Sequence, residues 1–351
     1  MGGHALSRPS MRVTAKNYAR ISQDILKQLN EVLPNRLAIV PAYYQKPDFG
    51  DIDIVVNGRL SSNDFLAIDN TGIFIEKVRN GPVTSYAYPL DDKGNVFQVD
   101  IITTDTFDFT LSYFSFNDLG NFIGRAAHYA GFKFGHNGLF YIVRSLDNSN
   151  HVLGEILLTC KWDEALTFLR YDAANYLRGA QGGFQTLRDI FTFTASSAWF
   201  RPESVALENR NHIARMRDKK RPNYVGLVKW LNDSNLMPSY LTDAEKEKAI
   251  ESKREHRKMA LSLAKTEFPN FAVELARIFD AEAQNKLVKE KFSGKEIATW
   301  TGLTGKALGE FFAAVKNQFS SKEEFQNWVL SSTTQDIQQA VLNWMSSFTP
   351  Q

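Results

Sequence analysis

Cysteine is almost absent from this chain, in which Cys160 is the only one among 351 residues. A single cysteine cannot form a disulfide within the chain or supply a cysteine-based zinc site, so both are excluded. Cys160 closes the apolar run 156–160, a position that predicts a small buried residue. The lack of disulfides is typical of a reducing compartment, and we expect an intracellular, cytoplasmic protein.

Long apolar runs and a strong net charge are also missing. No run approaches the roughly 18 apolar residues that cross a bilayer, and no apolar signal core opens the chain, so we expect no membrane partner. The 41 lysines and arginines nearly balance 39 aspartates and glutamates, for a net charge of +2. Nucleic-acid binding would therefore have to come from local basic patches. The hydrophobic content of 43% indicates well-packed globular domains.

Three aspartates in two apolar segments form the most informative pattern. Asp51 and Asp53 alternate with isoleucines, so in a β-strand their side chains share one face. Asp100 lies in a second apolar run, 96–102. Three hard oxygen ligands at the edge of a sheet suit Mg²⁺ held against a triphosphate, and two such ions about 4 Å apart serve phosphoryl transfer. Alternatively, a lone D-x-D pair also occurs at strand ends and turn edges without any such role.

The segment 111–125 reads LSYFSFNDLGNFIGR. It resembles the palm-to-thumb segment of DNA polymerase beta and its family X relatives, where a Tyr-Phe pair is followed by Asp, Asn and Arg at these spacings. The resemblance extends over residues 36–172. It implies a nucleotidyltransferase palm and a neighbouring thumb.

The resemblance also implies a role for each matching residue. Asp51 and Asp53 would hold the metal bound to the incoming nucleotide, and Asp100 would join them on the catalytic metal and help to deprotonate the primer 3′-hydroxyl. Tyr113 and Phe114 would lie under the sugar, where their bulk disfavours a 2′-hydroxyl.

Three residues of the following helix complete this set. By the same resemblance, Asp118 would pack near the incoming base, Asn121 would donate to its minor-groove edge, and Arg125 would reach the templating strand. Asn121 and Arg125 are four residues apart, so one helical face can present both. Alternatively, the aromatic pair belongs to the core and Asn121 to the surface.

The triphosphate cradle departs from the family pattern, because a Gly-Ser pair is missing before the D-x-D strand. Lys46 and Gly50 stand at that place and can bring charge and backbone to the phosphates. Gly2-Gly3 is an alternative triphosphate cradle, since a Gly-Gly turn that opens a helix is a good anion site. The pair is equally consistent with a flexible terminus. No lysine-bearing lyase module precedes the palm-like region, so removal of deoxyribose phosphate is not expected.

We predict an α+β fold in three parts. Residues 1–106 form a palm with a mixed sheet, 107–175 a small α/β thumb that binds nucleotide and primer, and 176–351 a mostly helical nucleic-acid-binding region. Within the palm, the patterns predict a helix over 14–32 and strands over 72–75 and 84–88. The pattern 118–130 predicts a helix.

Two features of the helical region point to nucleic acid. A basic run with neighbouring aromatics suits a nucleic-acid backbone, although a charge run is also typical of a solvated helix face. Residues 292–312, with their glycine turns, resemble the tail of bacterial CCA-adding enzymes and poly(A) polymerases; an ordinary helical hairpin explains them equally well. The basic residues concerned are Arg215, Arg217, Lys219, Lys220 and Arg221.

These patterns favour a Mg²⁺-dependent nucleotidyltransferase that extends a nucleic-acid 3′ end, in the manner of a family X DNA polymerase. We expect two Mg²⁺ ions, replaceable by Mn²⁺, and as partners a nucleoside triphosphate with a DNA primer–template. The first alternative is a CCA-type enzyme acting on a tRNA 3′ end. The second is a non-catalytic nucleic-acid-binding protein on the same fold.

Overall fold

The computed structural model describes residues 5–148, 150–207, 211–238 and 242–348. The chain divides into two compact units. The first unit comprises Met1–Ile142 and Leu157–Phe268, and the second comprises Val143–Ile156 and Pro269–Gln351. The three-part division at 106/107 and 175/176 stays a prediction.

A five-stranded mixed sheet forms the centre of the first unit. Its strand order is β2-β4-β7-β6-β5, with β4 and β7 parallel in the middle and the outer pairs antiparallel. The predicted mixed sheet and α+β class are therefore confirmed. The strands of the chain are β1 (Val13–Thr14), β2 (Leu37–Ile39), β3 (Asp48–Phe49), β4 (Asp51–Asn57), β5 (Lys77–Asn80), β6 (Val83–Pro89), β7 (Val96–Thr104), β8 (Phe132–Gly135), β9 (Gly138–Arg144) and β10 (Val152–Thr159).

Helix α1 (Ala15–Val32) packs on one face of this sheet, and helices predominate from residue 162 onward. A three-stranded sheet of order β10-β9-β8 precedes that helical region. The helices are α1 (Ala15–Val32), α2 (Ser62–Asn70), α3 (Phe107–Phe114), α4 (Leu119–Ala130), α5 (Trp162–Phe168), α6 (Ala173–Arg178), α7 (Leu187–Ala195), α8 (His212–Asp218), α9 (Pro222–Asp233), α10 (Asp243–Glu267), α11 (Phe271–Lys291), α12 (Gly294–Thr301), α13 (Gly305–Lys316), α14 (Lys322–Ser331) and α15 (Thr334–Met345).

The alternation in β4 determines which of its faces is buried. Ile52 and Ile54 are at most 1% exposed and belong to the same core cluster as Ile21 and Ile25 of α1. Helix α1 begins where predicted, because the side chain of Thr14 accepts a hydrogen bond from the first turn. On the opposite face, Asp51 and Asp53 are partly exposed and Val55 is buried.

Two sequence predictions are wrong. Residues 72–75 form no strand, because α2 ends in a turn in which Gly72 has φ +70° and its N–H donates to the Asp69 carbonyl oxygen. Ile75 and Glu76 each share a backbone hydrogen bond with Ala87 of β6, but the strand itself begins at Lys77. Cys160 is exposed rather than buried. It follows the last residue of β10, so the strand alternation no longer turns it inward.

The second unit contains a helical core of its own. Its centre includes Phe292, Ile297, Phe311 and Val329, each 5% exposed or less. Helices α12 and α13 are joined by a tight turn in which Gly302 has φ +71°, a left-handed conformation that favours glycine. The helical character predicted beyond residue 175 is confirmed. Across the described ranges, no helix combines the length and apolar character needed to cross a membrane.

Candidate active site

The three aspartates meet on one face of the central sheet. Asp53 of β4 lies directly opposite Asp100 of β7, and Asp51 lies opposite Gln98. Because side chains two residues apart on a strand share a face, all four point the same way. The Gln98 amide donates to both oxygens of Asp100, at 3.0 and 2.9 Å. Gln98 thus fixes the orientation of the Asp100 carboxylate.

Burial and like charge govern the electrostatics of this group. Burial, then the negative charges of Asp51 and Asp100, raise the pKa of Asp53 to about 8. Burial also raises the pKa of Asp100, although hydrogen bonds from Ser85 and Gln98 oppose the rise. Such crowding of carboxyl groups disfavours their common ionisation unless a cation compensates them.

The ammonium group of Lys46 lies close to Asp51 and Asp53. Burial lowers the pKa of its ammonium group, while the charges of Asp51 and Asp53 oppose that effect. Its Nζ lies 4.5 Å from the centre of the Phe49 ring, which in turn stacks on Tyr18. Lys46 therefore lies within the electrostatic reach of the aspartates, and its contact with a triphosphate stays a prediction.

A cleft of about 580 Å³ borders this face of the sheet. Eight of the predicted site residues line it, and so do several residues that the sequence did not single out. The predicted ones are Lys46, Gly50, Asp51, Asp53, Phe114, Asp118, Asn121 and Arg221; the others include Arg12, Tyr18, Asn117 and Asn223.

The turn between α3 and α4 is strained where it meets the cleft. Phe116 and Asn117 have φ values of +57° and +64°, in the left-handed region that costs non-glycine residues energy. Gly120 is required by packing, since a Cβ there would lie 2.2 Å from the backbone oxygen of Tyr113. The sequence between the aromatic pair and Asn121 is thus constrained by a close approach of two helices.

Asp118 links the start of α4 to the start of α9. Its Oδ1 accepts from the Asn121 amide at 3.3 Å and its Oδ2 from the Asn223 amide at 3.0 Å. The guanidinium of Arg221 lies 3.7 Å from Oδ1. The Tyr113 hydroxyl donates to Asn121 at 3.4 Å. One continuous network therefore holds the polar side chains at this part of the cleft.

Arg125 lies in a buried ion pair, whereas its expected contact with a templating strand requires an accessible guanidinium. Its guanidinium donates to Asp218 at 3.0 Å and lies 5.5 Å from the Tyr224 ring centre. The Arg125 side chain is 12% exposed and that of Asp218 is 0% exposed. Contact of Arg125 with a templating strand stays a prediction.

The remaining described predicted residues are not part of the cleft lining. Asp100 is one of them, although it lies beside Asp53 on the neighbouring strand. Tyr113 contacts the cleft residue Asn121 through its hydroxyl. The basic residues lie on α8 (Arg215 and Arg217) and in the turn after it (Lys219 and Lys220). Lys219 and Lys220 are exposed. Gly2 and Gly3 lie outside the described residues.

Comparison with known proteins gives a partial structural likeness. The ternary gap complex of Leishmania infantum polymerase beta matches with a TM-score of 0.31 and 15% identity, over 39% of this chain and 53% of the polymerase. The ternary P/T complex of the same polymerase matches with a TM-score of 0.31 and 14% identity, over 39% and 60%. The chain thus spans little more than half the length of these polymerases. No family model matches the chain, and no curated protein does.

The aspartates suit a divalent cation in donor chemistry. Across the described ranges, no group of three or more His, Cys, Asp or Glu side chains is arranged to hold a metal ion by itself. The Asp100 carboxylate is instead engaged by Gln98. Magnesium is commonly bound by one or two carboxylates together with substrate phosphates. Asp51 and Asp53, which border the cleft, provide such a carboxylate pair.

Sequence reasoning missed Gln98, Asn117, Asn223 and Arg12. A signal existed for Gln98, because it stands two residues before Asp100 and so shares its strand face. Asn223 and Arg12 carry no local signal. They reach the cleft only through packing of segments that are distant in sequence.

Proposed function

We propose that this protein is a nucleotidyltransferase that adds a nucleotide to a nucleic-acid 3′-hydroxyl, in the manner of a family X DNA polymerase. The proposal rests on the position of Asp53 opposite Asp100, with Asp51 on the same strand, beside a cleft that Lys46 also lines. A nucleoside triphosphate fits these features: the carboxylates suit its metal ions, the lysine suits its phosphates, and the other side of the cleft can contact its base.

The charged residues of the site have different roles in this proposal. Asp51 and Asp53, together with the substrate phosphates, would hold Mg²⁺, which supplies Lewis-acid stabilisation of the phosphates. Lys46 adds a positive charge to the same region. Asp100, oriented by Gln98, retains carboxylate lone pairs that can accept the proton of a 3′-hydroxyl. Catalysis is then mainly alignment and electrostatic stabilisation.

The wall that contacts the sugar is aromatic. Phe114 lines the cleft, and its ring packs edge-on against Tyr113 at 5.3 Å. It also stacks on His136 at 5.9 Å. This support holds Phe114 in place, so its bulk can exclude a 2′-hydroxyl and favour deoxyribonucleotides.

An extension assay tests the proposal. The purified protein is incubated with Mg²⁺ and each nucleotide, on a gapped DNA primer–template or on a tRNA that lacks its 3′ end. The proposal predicts extension of the DNA, which Asp53→Asn and Asp100→Asn abolish and the exposed-turn variant Asp92→Asn preserves. Addition to the tRNA alone would identify the CCA-type alternative. Absence of any extension, with nucleic-acid binding intact, would identify a non-catalytic binding protein.

A further inference from the structure

The cleft contains two groups of side chains with different chemistry. The charged group, Arg12, Lys46, Asp48, Asp51 and Asp53, is coupled electrostatically around Lys46. The amide group, Asn117, Asp118, Asn121, Arg221 and Asn223, lines the same cleft and includes three carboxamides. A triphosphate with its cations suits the charged group. The amide group, in which Arg221 offsets Asp118, suits a neutral partner rich in hydrogen-bonding groups.

The amide group keeps hydrogen-bonding capacity after its own contacts are made. A carboxamide has two N–H donors and one acceptor oxygen. Asn223 commits one N–H to Asp118, and that bond fixes which end of its amide carries the remaining donor. Arg221 has five N–H donors, of which the contact with Asp118 engages only part.

Asn117 contributes an unsatisfied acceptor. Its side-chain oxygen is buried and has no hydrogen-bond partner among the residues that the structure describes. Buried polar atoms without a partner are uncommon in native structures and require an explanation. The strained φ of +64° holds this residue beside the cleft. A ligand in the cleft that donates a hydrogen bond would satisfy the oxygen after a rotation of the Asn117 side chain exposes it.

The start of α9 is anchored, which makes it suitable for recognition. The buried pair Arg125–Asp218 joins α4 to the last residue of α8. Tyr224, 2% exposed, donates its hydroxyl to the backbone oxygen of Val205 and lies beneath the Arg125 guanidinium. Arg221 and Asn223 lie between Asp218 and Tyr224, so these contacts hold the backbone on either side of them. Preorganised groups lose less entropy on binding a ligand.

We propose that Asn223, Arg221 and Asn117 recognise the base of the incoming nucleotide directly, so that the protein selects among nucleotides without a template strand. Asp118 is a positioning residue in this scheme, because it orients the amide of Asn223 and the guanidinium of Arg221. The inference rests on the proposed function and adds to it a source of base selectivity in which Arg221 and Asn223 lie outside the segment 36–172.

Equilibrium binding of the four ribonucleoside and four deoxyribonucleoside triphosphates in Mg²⁺, without nucleic acid, tests the inference. We expect the Kd values of the tightest and weakest bases to differ by about tenfold or more, the range of one or two buried hydrogen bonds. Asn223→Ala and Asn117→Gly should reduce that spread severalfold, while the glycine keeps the left-handed backbone.

Asn232→Ala is the matched control. Asn232 lies on the same helix, and its amide donates to the Val228 carbonyl rather than lining the cleft. This variant should keep the wild-type spread. Asn223→Ser replaces Asn223→Ala if the alanine variant fails to fold in a circular-dichroism melt.

The possible results separate the two proposals. Equal Kd values for all four bases, or a spread that both asparagine variants keep, would overturn base recognition and leave the nucleotidyltransferase proposal in place. A preference that appears only after a template strand is added would overturn it as well. Failure of the wild-type protein to bind any triphosphate would reject the proposed function itself.

Discussion

Arg125 and Asp218 form a buried ion pair, with Nη2 of the arginine 3.0 Å from Oδ2 of the aspartate. The two residues are 93 positions apart, so the pair joins the helix that carries Asn121 to the segment that carries Arg221 and Asn223. Arg217 also donates to Asp218 at 3.3 Å. The pair therefore holds one border of the cleft together.

Breaking this pair should destabilise the protein strongly. Asp218→Ala leaves the mostly buried guanidinium of Arg125 without its carboxylate, a change that typically costs about 3–5 kcal/mol of unfolding free energy. Chemical denaturation measures the loss. Asp233→Ala, which breaks the exposed pair with Lys229, should cost less than about 1 kcal/mol. Equal effects of the two variants would show that burial does not set the strength of the Arg125–Asp218 pair.

Replacing Asp53 should stabilise the fold while it removes activity. The carboxyl group is buried beside Asp51 and Asp100, and its pKa of about 8 shows that the folded state disfavours its charge. Asp53→Asn removes that charge, so the unfolding free energy should rise by about 1–3 kcal/mol. Thermal melts at pH 8 with a chelator test this result. A lower Tm than wild type would contradict it.

Removing the amide of Gln98 should slow the reaction. Gln98→Met keeps the size of this 3%-exposed side chain but leaves Asp100 without two donated contacts. Residues that orient a ligand group typically contribute about 10- to 100-fold to activity. We expect kcat to fall by that factor while KM for the nucleotide changes little. A raised KM with unchanged kcat would place Gln98 in nucleotide binding instead.

Shortening Phe114 should weaken discrimination against ribonucleotides. Phe114→Ala removes the ring that narrows the cleft. The ratio of ribonucleotide to deoxyribonucleotide kcat/KM should therefore rise by about tenfold, which corresponds to about 1.4 kcal/mol of lost discrimination. Tyr113→Phe is the control, because it removes only the hydroxyl contact with Asn121 and keeps the ring. If the ratio does not move in Phe114→Ala, the sugar-exclusion role is wrong.

His256 should make the first unit sensitive to acid. The ring is 9% exposed between Tyr129 and Trp199. Burial, then the charges of Arg201 and Arg257, lower its pKa below the ordinary value of about 6.5.

As the pH falls below about 6.5, the unfolded chain binds this proton before the folded protein does, so stability is lost until the pH passes the folded-state pKa. The unfolding free energy should therefore decrease between pH 7 and pH 5. His256→Gln should flatten this slope and the exposed His212→Gln should not. An unchanged slope in His256→Gln would assign the acid sensitivity to other groups.

The candidate site was predictable where its residues share a strand or a helix. Alternation alone placed Asp51 and Asp53 on one face, and helical spacing placed Asn121 and Arg125 on one face of α4. The pairing of Asp53 with Asp100 required only that two apolar strands be neighbours, which their burial favours. The predicted strand over 72–75 failed because the end of α2 continues as a turn there, and apolar alternation does not report such a turn.

The sequence by itself determined the mixed α+β character, the aspartate pattern and the aromatic pair, because local periodicity reports which side chains share a face. The tertiary structure alone decided that Asn223 and Arg221 border the cleft, that Gln98 engages Asp100, and that Arg125 is buried against Asp218. Some of these contacts are between residues up to 105 positions apart. Others depend on which neighbouring side chain donates to a carboxylate. They follow from packing and hydrogen-bond geometry, which local sequence periodicity does not record.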